Sequence, residues 1–166
     1  MQIKGSIAIV TGAASGLGAA TAETLASAGA RIAAFDLNEE GAKATAEKLG
    51  GVGYGVDVSN AESVEQAVAK VQADLGTPSI LVNCAGIVHG ERIVGRDGPA
   101  DLAAFSKVIT VNLIGTFNMM RVAANAMSQN DPNDAGERGV IINTASIAAF
   151  EGQIGQAAYA ASKGGV

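Results

Sequence analysis

The chain has 166 residues, of which 48% are hydrophobic and 16% charged, and its formal net charge is −5 at pH 7. These values predict one compact soluble domain and argue against a membrane span, because no apolar run approaches the required length of about 20 residues. They also argue against nucleic-acid binding, which needs a concentrated positive patch. The chain has one Cys and one His, which cannot supply an internal disulfide or a usual zinc site.

Short apolar runs rich in β-branched residues alternate with longer amphipathic segments, a pattern typical of βαβ units. We therefore expect an α/β fold, a Rossmann-type doubly wound parallel sheet with helices on both faces. Strands are predicted at 6–10, 31–35, 52–56, 79–82 and 140–144. Helices are predicted to begin near Gly16, Glu39, Asn60, Asp101 and Gly155.

The helix near Asn60 has the clearest predicted boundaries. Ser59 and Glu62 match an S-x-x-E capping box, and apolar residues at 64, 68, 71 and 75 share one face. Gly76 and Pro78 then end the helix. Segments 88–100 and 128–138 lack periodicity and are predicted loops. The last predicted helix stops within its third turn, so we expect the single domain, 1–166, to be incomplete at its C-terminus.

A glycine-rich segment, TGAASGLG at 11–18, separates the first strand from an alanine-rich helix. Gly12, Gly16 and Gly18 follow the pattern G-x-x-x-G-x-G. This pattern differs from G-x-G-x-x-G but meets the same needs: a tight turn, close approach to a pyrophosphate, and a helix N-terminus facing negative charge. Its position between strand and helix predicts dinucleotide binding rather than a turn with only a packing role.

Asp36 ends the second predicted strand, where a carboxylate can accept hydrogen bonds from the adenosine ribose. A carboxylate there also repels a 2′-phosphate. The nearby positions hold Ala13, Ala14, Ser15 and Leu37, and none of these is an Arg or Lys that could bind a 2′-phosphate. We therefore predict NAD rather than NADP as the cofactor.

Two further strand ends are candidates for the cofactor site, because ligands of open α/β sheets bind beyond the carboxyl ends of the strands. Asp57 and Val58 follow the third strand, although an Asp there is as often a plain cap. The sequence Asn83-Cys84-Ala85-Gly86 follows the fourth. We interpret Cys84 as a small core residue near the cofactor rather than a reactive thiol, since no basic neighbour in sequence activates it.

Polar residues that could act on a substrate come later in the chain. Asn112 lies in an apolar helical stretch, where a buried amide needs partners. Ser146 follows the fifth strand and is either a cap or a hydroxyl near the substrate. Tyr159 and Lys163 are four residues apart, one turn on a helical face, and a neighbouring ammonium favours the phenolate form of a tyrosine.

Together these motifs resemble the short-chain dehydrogenase/reductase family, and most closely its type II 3-hydroxyacyl-CoA dehydrogenase branch. The resemblance rests on TGAASGLG, Asp36, Asp57-Val58, NCAG, Asn112, Ser146 and YAASK, and on the stretch GVIINTASIAAFEGQIGQAAYAASKGG. NCAG departs from the more frequent NNAG of the family. The resemblance implies a fold with further strands beyond this chain and assembly as a homotetramer.

The resemblance also implies roles for individual residues. Tyr159 would be the base, Lys163 its electrostatic partner and ribose ligand, Ser146 the donor to the substrate oxygen, and Asn112 a link in a proton relay. Gln153, with Ser146 and Tyr159, would contact the substrate. The implied cofactor contacts are Gly12, Ser15, Gly16, Leu17, Gly18, Asp36, Asp57, Val58, Asn83, Cys84, Ala85, Gly86, Tyr159 and Lys163.

The implied function is NAD-dependent interconversion of 3-hydroxyacyl-CoA and 3-oxoacyl-CoA, an oxidoreductase reaction of fatty acid metabolism. Alternatives are a 3-oxoacyl carrier-protein reductase, which Asp36 disfavours because such enzymes usually prefer NADP, another short-chain alcohol dehydrogenase, or an inactive nucleotide-binding fragment. We expect no metal and no nucleic-acid or membrane partner. The apolar run near the N-terminus leaves no room for a signal peptide, so we expect a cytoplasmic location.

Overall fold

The computed structural model describes residues 2–96 and 98–166 and contains one parallel sheet of five strands. The strands are β1 (Ile7–Thr11), β2 (Arg31–Asp36), β3 (Val52–Gly55), β4 (Ile80–Asn83) and β5 (Val140–Asn143). Their order is β3-β2-β1-β4-β5, and every neighbouring pair is parallel. The predicted Rossmann-type sheet is therefore confirmed, with each strand end within one residue of its predicted position.

Helices connect consecutive strands. They are α1 (Gly16–Ser27), α2 (Glu39–Lys48), α3 (Ala61–Asp74), α4 (Leu102–Ile109), α5 (Gly115–Met127) and α6 (Ala157–Gly165). A π-helical segment, Thr110–Ile114, joins α4 to α5, and a short 3₁₀ helix, Ile147–Ala149, follows β5. The last helix begins two residues later than predicted, because Gly155 has a positive φ of 86° and lies in the preceding turn.

Side-chain caps fix the start of three helices. Asn38, Asn60 and Asp101 each accept a hydrogen bond from a backbone N–H in the first turn of the helix that follows. The predicted capping box at Ser59 is therefore wrong. The Ser59 hydroxyl instead donates to Asp57 Oδ1 at 2.6 Å, which leaves Asn60 one residue later as the cap of α3.

The strands β1, β2 and β4 are buried on both faces of the sheet, whereas Val140 and Ile142 of the edge strand β5 are exposed. On one face, Ile9, Phe35 and Leu81 pack in a cluster with α3 and α5, including the predicted apolar stripe of α3 at 64, 68 and 71. On the other, Val10, Ile32 and their neighbours pack against alanines of α1 and α2. Small residues on these two helices let their backbones approach the strands closely, which places the start of α1 directly at the end of β1.

The helix spanning 102–127 is long and apolar enough to cross a membrane by length and composition alone. Within the fold it packs against α3, α6 and β4. Its buried amides are satisfied there, since Asn112 bonds to Ile87 and Asn118 Nδ2 donates to the Val58 carbonyl oxygen at 2.8 Å. These bonds attach one side of the helix to the fold, whereas only 28% of its most apolar stretch is buried. In the predicted loop 88–100, Glu91 N donates a hydrogen bond to the Gly155 carbonyl oxygen. Asp97 of this loop lies outside the described residues.

Candidate active site

The glycine-rich segment forms a tight turn between β1 and α1. Gly12 has a φ of 67°, in the left-handed region that side-chain-bearing residues avoid. A Cβ added to Gly12 would lie 2.9 Å from the Ala85 backbone N, and one added to Gly18 would lie 2.1 Å from the Gly12 carbonyl oxygen. The turn therefore needs glycine at both positions, because the opposing atoms are backbone and cannot rotate away.

We expect Gly18→Ala to disrupt this turn, since the new methyl must displace either α1 or residue 12. Affinity for a dinucleotide should fall at least about tenfold, as expected when a preformed binding surface is misplaced. A titration followed by NADH fluorescence measures the effect. Gly136→Ala is the control, because Gly136 lies in a distant loop with no atom within 4 Å of an added Cβ, although its φ of 79° will cost some stability. Equal affinities of Gly18→Ala and the unaltered protein would contradict the expectation.

The N-terminus of α1 is open at this turn. Ser15 occupies the cap position, but its side chain makes no capping hydrogen bond, and the first turn carries no acidic residue. The backbone N–H groups of that turn are therefore available to an anion, and the helix dipole favours negative charge there.

A cleft of about 490 Å³ runs along the carboxyl ends of β1 to β4. This volume falls in the range of ordinary ligand pockets, about 300–1,000 Å³. Its lining contains eleven of the predicted cofactor residues: Gly12, Ser15, Gly16, Leu17, Gly18, Asp36, Asp57, Val58, Cys84, Ala85 and Gly86. The other lining residues are Phe35, Leu37, Val56, Ile87, Lys107 and Val111. Glycine backbone, two carboxylates and apolar side chains thus meet in one groove.

Both carboxylates of the cleft are held by backbone N–H groups. Asp36 accepts from Ala14 N at 3.0 Å and from Asn38 N at 2.9 Å, so it ties the glycine loop to the end of β2. Asp57 accepts from the backbone and the hydroxyl of Ser59, which makes it a turn residue as well as a cleft residue. A carboxylate has about four acceptor sites, so each retains capacity for a ligand hydroxyl.

Asn83 lies outside the cleft lining, although sequence reasoning placed it among the cofactor contacts. It is buried at the end of β4, and its Nδ2 donates to Asn143 Oδ1 on β5 at 2.9 Å. This bond crosses the sheet between paired residues. Its position indicates a role in holding the two strand ends together.

Thr11 is a site residue that sequence reasoning missed. Its buried hydroxyl accepts hydrogen bonds from the backbone N–H groups of Cys84 and Ala85, at 3.1 and 3.0 Å. Thr11 therefore fixes the end of β4 against the glycine turn. The threonine before Gly12 was visible in the sequence, but nothing local showed that its partners lie more than 70 residues away.

Lys107 was also missed. It lies on α4, is exposed, and lines the cleft. The prediction of NAD rests on the absence of Arg and Lys at positions close to the loop and to β2. Lys107 lines the cleft together with residues at the ends of β1 to β4, a long-range proximity that sequence spacing does not reveal.

Lys163 is buried in α6, with an exposed fraction of 7%. Its Nζ donates to the Thr144 carbonyl oxygen at 2.6 Å and lies 5.8 Å from the centre of the Tyr159 ring. Burial lowers the pKa of Lys163 from its ordinary value of 10.5, an effect that the nearby Cys84 thiol partly opposes. Lys163 thus places a poorly hydrated ammonium beside the predicted base, where its field is stronger than in water.

Asn112 lies in the π-helical segment, a rare helical form that often occurs at functional sites. Its Nδ2 donates to the Ile87 carbonyl and to Ser162 Oγ, and its Oδ1 accepts from Ile87 N. The side chain therefore has no free N–H for a relay. The Asn112 main-chain carbonyl accepts a hydrogen bond from Thr116 Oγ1 at 2.7 Å.

The inner end of the cleft adjoins these two side chains at Gly86. A Cβ added to Gly86 would lie 3.3 Å from Asn112 Oδ1 and 3.9 Å from Lys163 Nζ. Neither Asn112 nor Lys163 lines the cleft itself. Gly86 thus lies next to both Asn112 and Lys163 and joins the cleft to these predicted catalytic residues.

The remaining predicted residues lie on the segments that follow β5. Ser146 is half-buried and caps the 3₁₀ helix, with its Oγ accepting from Ala148 N at 3.2 Å. Because the oxygen only accepts there, its own proton is free for another acceptor. Tyr159 is half-buried in the first turn of α6, and Gln153 is exposed in the turn before it. The 3₁₀ helix packs against α6, which brings Ser146 and Tyr159 onto neighbouring elements.

The cleft suits a dinucleotide. Glycines 12, 18 and 86 keep its floor bare of side chains, and the open N-terminus of α1 suits a pyrophosphate. Apolar side chains such as Val56, Val58 and Val111 offer walls for a flat ring, and the carboxylates offer acceptors for ribose hydroxyls.

Comparison with known proteins gives an independent result. A family described as short chain dehydrogenase matches residues 6–166. The 3-hydroxyacyl-CoA dehydrogenase type-2 of Homo sapiens is 48% identical over 99% of this chain and 65% of its own length. The D-threitol dehydrogenase of Mycolicibacterium smegmatis is 43% identical over 99% of this chain and 62% of its own length.

Solved structures agree with these relatives. The crystal structure of 3-hydroxyacyl-CoA dehydrogenase type-2 from Mycobacterium avium superposes with a TM-score of 0.91 at 42% identity, covering 97% of this chain and 64% of the other. This chain therefore spans just under two thirds of the length of the relatives that it matches.

Proposed function

This chain belongs to the short-chain dehydrogenase family, and from that premise we propose that it is an NAD-dependent oxidoreductase interconverting a 3-hydroxyacyl-CoA and a 3-oxoacyl-CoA. The observation that carries the proposal is the glycine-floored cleft whose inner end adjoins Asn112 and the buried ammonium of Lys163. The acyl-CoA substrate is supported by the names of relatives at up to 48% identity. Members of this family generally use a nicotinamide dinucleotide.

In the proposed complex, the backbone at the start of α1 would hold the pyrophosphate and Asp36 would accept hydrogen bonds from the adenosine ribose. Asp57, Val58 and the segment from Cys84 to Gly86 line the same cleft and would contribute further contacts to the dinucleotide. When bound, the nicotinamide ring accepts or supplies the hydride. The residues of this chain orient the substrate and move its proton.

Tyr159 is the proposed base that removes the proton of the substrate hydroxyl. The Lys163 ammonium, held by Thr144, stabilises the phenolate through a medium of low polarity. Ser146 can donate its free proton to the substrate oxygen and so stabilise negative charge that develops there. Gln153 is the proposed contact to the rest of the substrate.

The proposal is tested by following absorbance at the reduced-nicotinamide band with NADH and acetoacetyl-CoA. We expect NADH oxidation that depends on the thioester and saturates.

A second candidate is a polyol dehydrogenase, since D-threitol dehydrogenase is 43% identical. Turnover of D-threitol with NAD, without turnover of acetoacetyl-CoA, would favour that candidate. No turnover of either substrate by a folded protein that binds NADH would favour a nucleotide-binding fragment.

The choice of NAD over NADP is proposed to depend on Asp36. We expect a lower KM for NAD than for NADP. Asp36→Asn should reduce the ratio of the KM for NADP to the KM for NAD at least about tenfold. The reason is that the Asp36 carboxylate and the 2′-phosphate of NADP carry like charges, and bringing like charges together disfavours binding by several kcal/mol. Initial rates with both cofactors provide the measurement. Glu40→Gln is the control, since Glu40 is exposed on α2 and lies outside the cleft lining.

A lower KM for NADP in the unaltered protein would reverse this preference. That result would direct attention to Lys107, the cation across the cleft, whose replacement by Met would then abolish the affinity for the 2′-phosphate. We also propose a cytoplasmic homotetramer without nucleic-acid or membrane partners; a monomeric mass by light scattering would contradict the tetramer.

A further inference from the structure

Ser162 is a fully enclosed polar residue of α6, directly before Lys163, and the proposed reaction gives it no role. Its exposed fraction is 0%. Its hydroxyl accepts a hydrogen bond from Asn112 Nδ2 at 3.0 Å and donates one to the Tyr159 carbonyl oxygen at 2.8 Å. A serine hydroxyl carries one proton, so the direction of these bonds is fixed, from Asn112 through Ser162 to Tyr159.

The Asn112 amide continues this path to the wall of the cleft. Its Nδ2 donates to the Ile87 carbonyl oxygen at 2.9 Å, and its Oδ1 accepts from Ile87 N at 2.8 Å. Ile87 is one of the residues that line the cleft. Hydrogen bonds therefore connect the cleft wall to the backbone of Tyr159 without a break.

We infer that Ser162 is a positioning residue that sets the place of Tyr159 relative to the cofactor cleft by acting through Asn112. A bond from a helical serine to the carbonyl three residues earlier is common and local. The bond from Asn112 is different, because it joins α6 to a second helix and to a loop. This inference rests on the proposed function, since it is in that reaction that the position of Tyr159 matters.

Removing the Ser162 hydroxyl leaves one Asn112 N–H without its acceptor in the interior of the protein. Either the Asn112 amide or the first turn of α6 must then move to recover a partner. A displacement of about 1 Å at a reacting group can cost about 10²-fold in rate. Replacement by Ala removes only the hydroxyl and suits a helix, so α6 should still form.

The first measurement compares Ser162→Ala with Ser128→Ala in the purified protein. Ser128 is the matched control, because its hydroxyl donates to the Asn125 carbonyl at 2.7 Å in the same three-residue geometry but at the end of α5. With NADH and acetoacetyl-CoA, we expect Ser162→Ala to lower kcat about 10- to 100-fold, with KM for NADH changed less than about twofold. Ser128→Ala should leave both constants unchanged.

The second measurement is hydrogen exchange at the Ile87 amide, which does not need turnover. Exchange should accelerate in Ser162→Ala and not in Ser128→Ala, because Asn112 Oδ1 is no longer held in place. Unchanged exchange at Ile87, or a kcat equal to that of the control, overturns the inference. A third outcome separates this inference from the proposed function. If the unaltered protein shows no turnover but exchange at Ile87 is accelerated in Ser162→Ala, the proposed function is overturned, whereas the connection from Ser162 to Ile87 is supported.

Discussion

Replacing Tyr159 by Phe is expected to lower kcat by about 10²- to 10⁴-fold, the range over which a positioned general base accelerates proton transfer. The ring of Tyr159 stays in the first turn of α6, beside Lys163, so only the hydroxyl is lost. NADH affinity should change little, since the cleft lining does not include Tyr159. Initial rates and a fluorescence titration measure the two quantities separately.

The other tyrosine of the chain supplies the control. Tyr54 lies on β3 and outside the cleft lining, and its hydroxyl donates to Asp74 Oδ2 at 2.5 Å. Tyr54→Phe should keep full turnover while losing about 1 kcal/mol of stability with its hydrogen bond. If Tyr159→Phe retained turnover like Tyr54→Phe, Tyr159 would not be the base.

Replacing Lys163 by Met is expected to separate activity from stability. Loss of the ammonium should lower kcat about 10²- to 10³-fold, as when one preorganised electrostatic contact is removed from a reacting group. Met keeps most of the buried stem, and no charge remains to be desolvated, so the melting temperature should be unchanged or higher. Lys70→Met on the exposed face of α3 is the control and should alter neither quantity. A large loss of stability in Lys163→Met would contradict the account of its burial.

The same lysine predicts a dependence of stability on pH. Burial lowers the pKa of Lys163 in the folded state below the ordinary 10.5. Between these two pKa values the unfolded chain holds a proton that the folded chain has lost, so the free energy of unfolding should rise with pH in that range. Lys163→Met should lack this increase. Denaturant titrations below pH 10 isolate the effect, because burial and Asp74 raise the pKa of Tyr54 above its ordinary 10.0.

The strands and helix starts could be read from the sequence because each depends on nearby residues. Alternation of apolar runs located β1 to β5 within one residue, and the glycine turn was evident from Gly12 to Gly18. The capping error at Ser59 shows the limit of local patterns. Ser59 and Asn60 are both residue types that cap helices well. Because the Ser59 hydroxyl donates to Asp57, Asn60 caps the helix instead.

Contacts between distant segments could not be read in this way. The sequence indicated that Asn112 needs partners, but only the fold shows that they are Ile87 and Ser162. It also gave no sign that Lys107 reaches the cleft. Such contacts depend on how segments that are distant in the sequence pack together, and no residue pattern within one segment fixes that packing.

The central claim is that Tyr159 faces a nicotinamide dinucleotide held in the glycine-floored cleft. A crystal structure of the protein with NAD and acetoacetyl-CoA tests it most directly. The account predicts the pyrophosphate at the N-terminus of α1 and the Tyr159 hydroxyl within about 2.6–3.2 Å of the substrate oxygen. A dinucleotide bound elsewhere, or a Tyr159 hydroxyl directed away from the substrate oxygen, would contradict it.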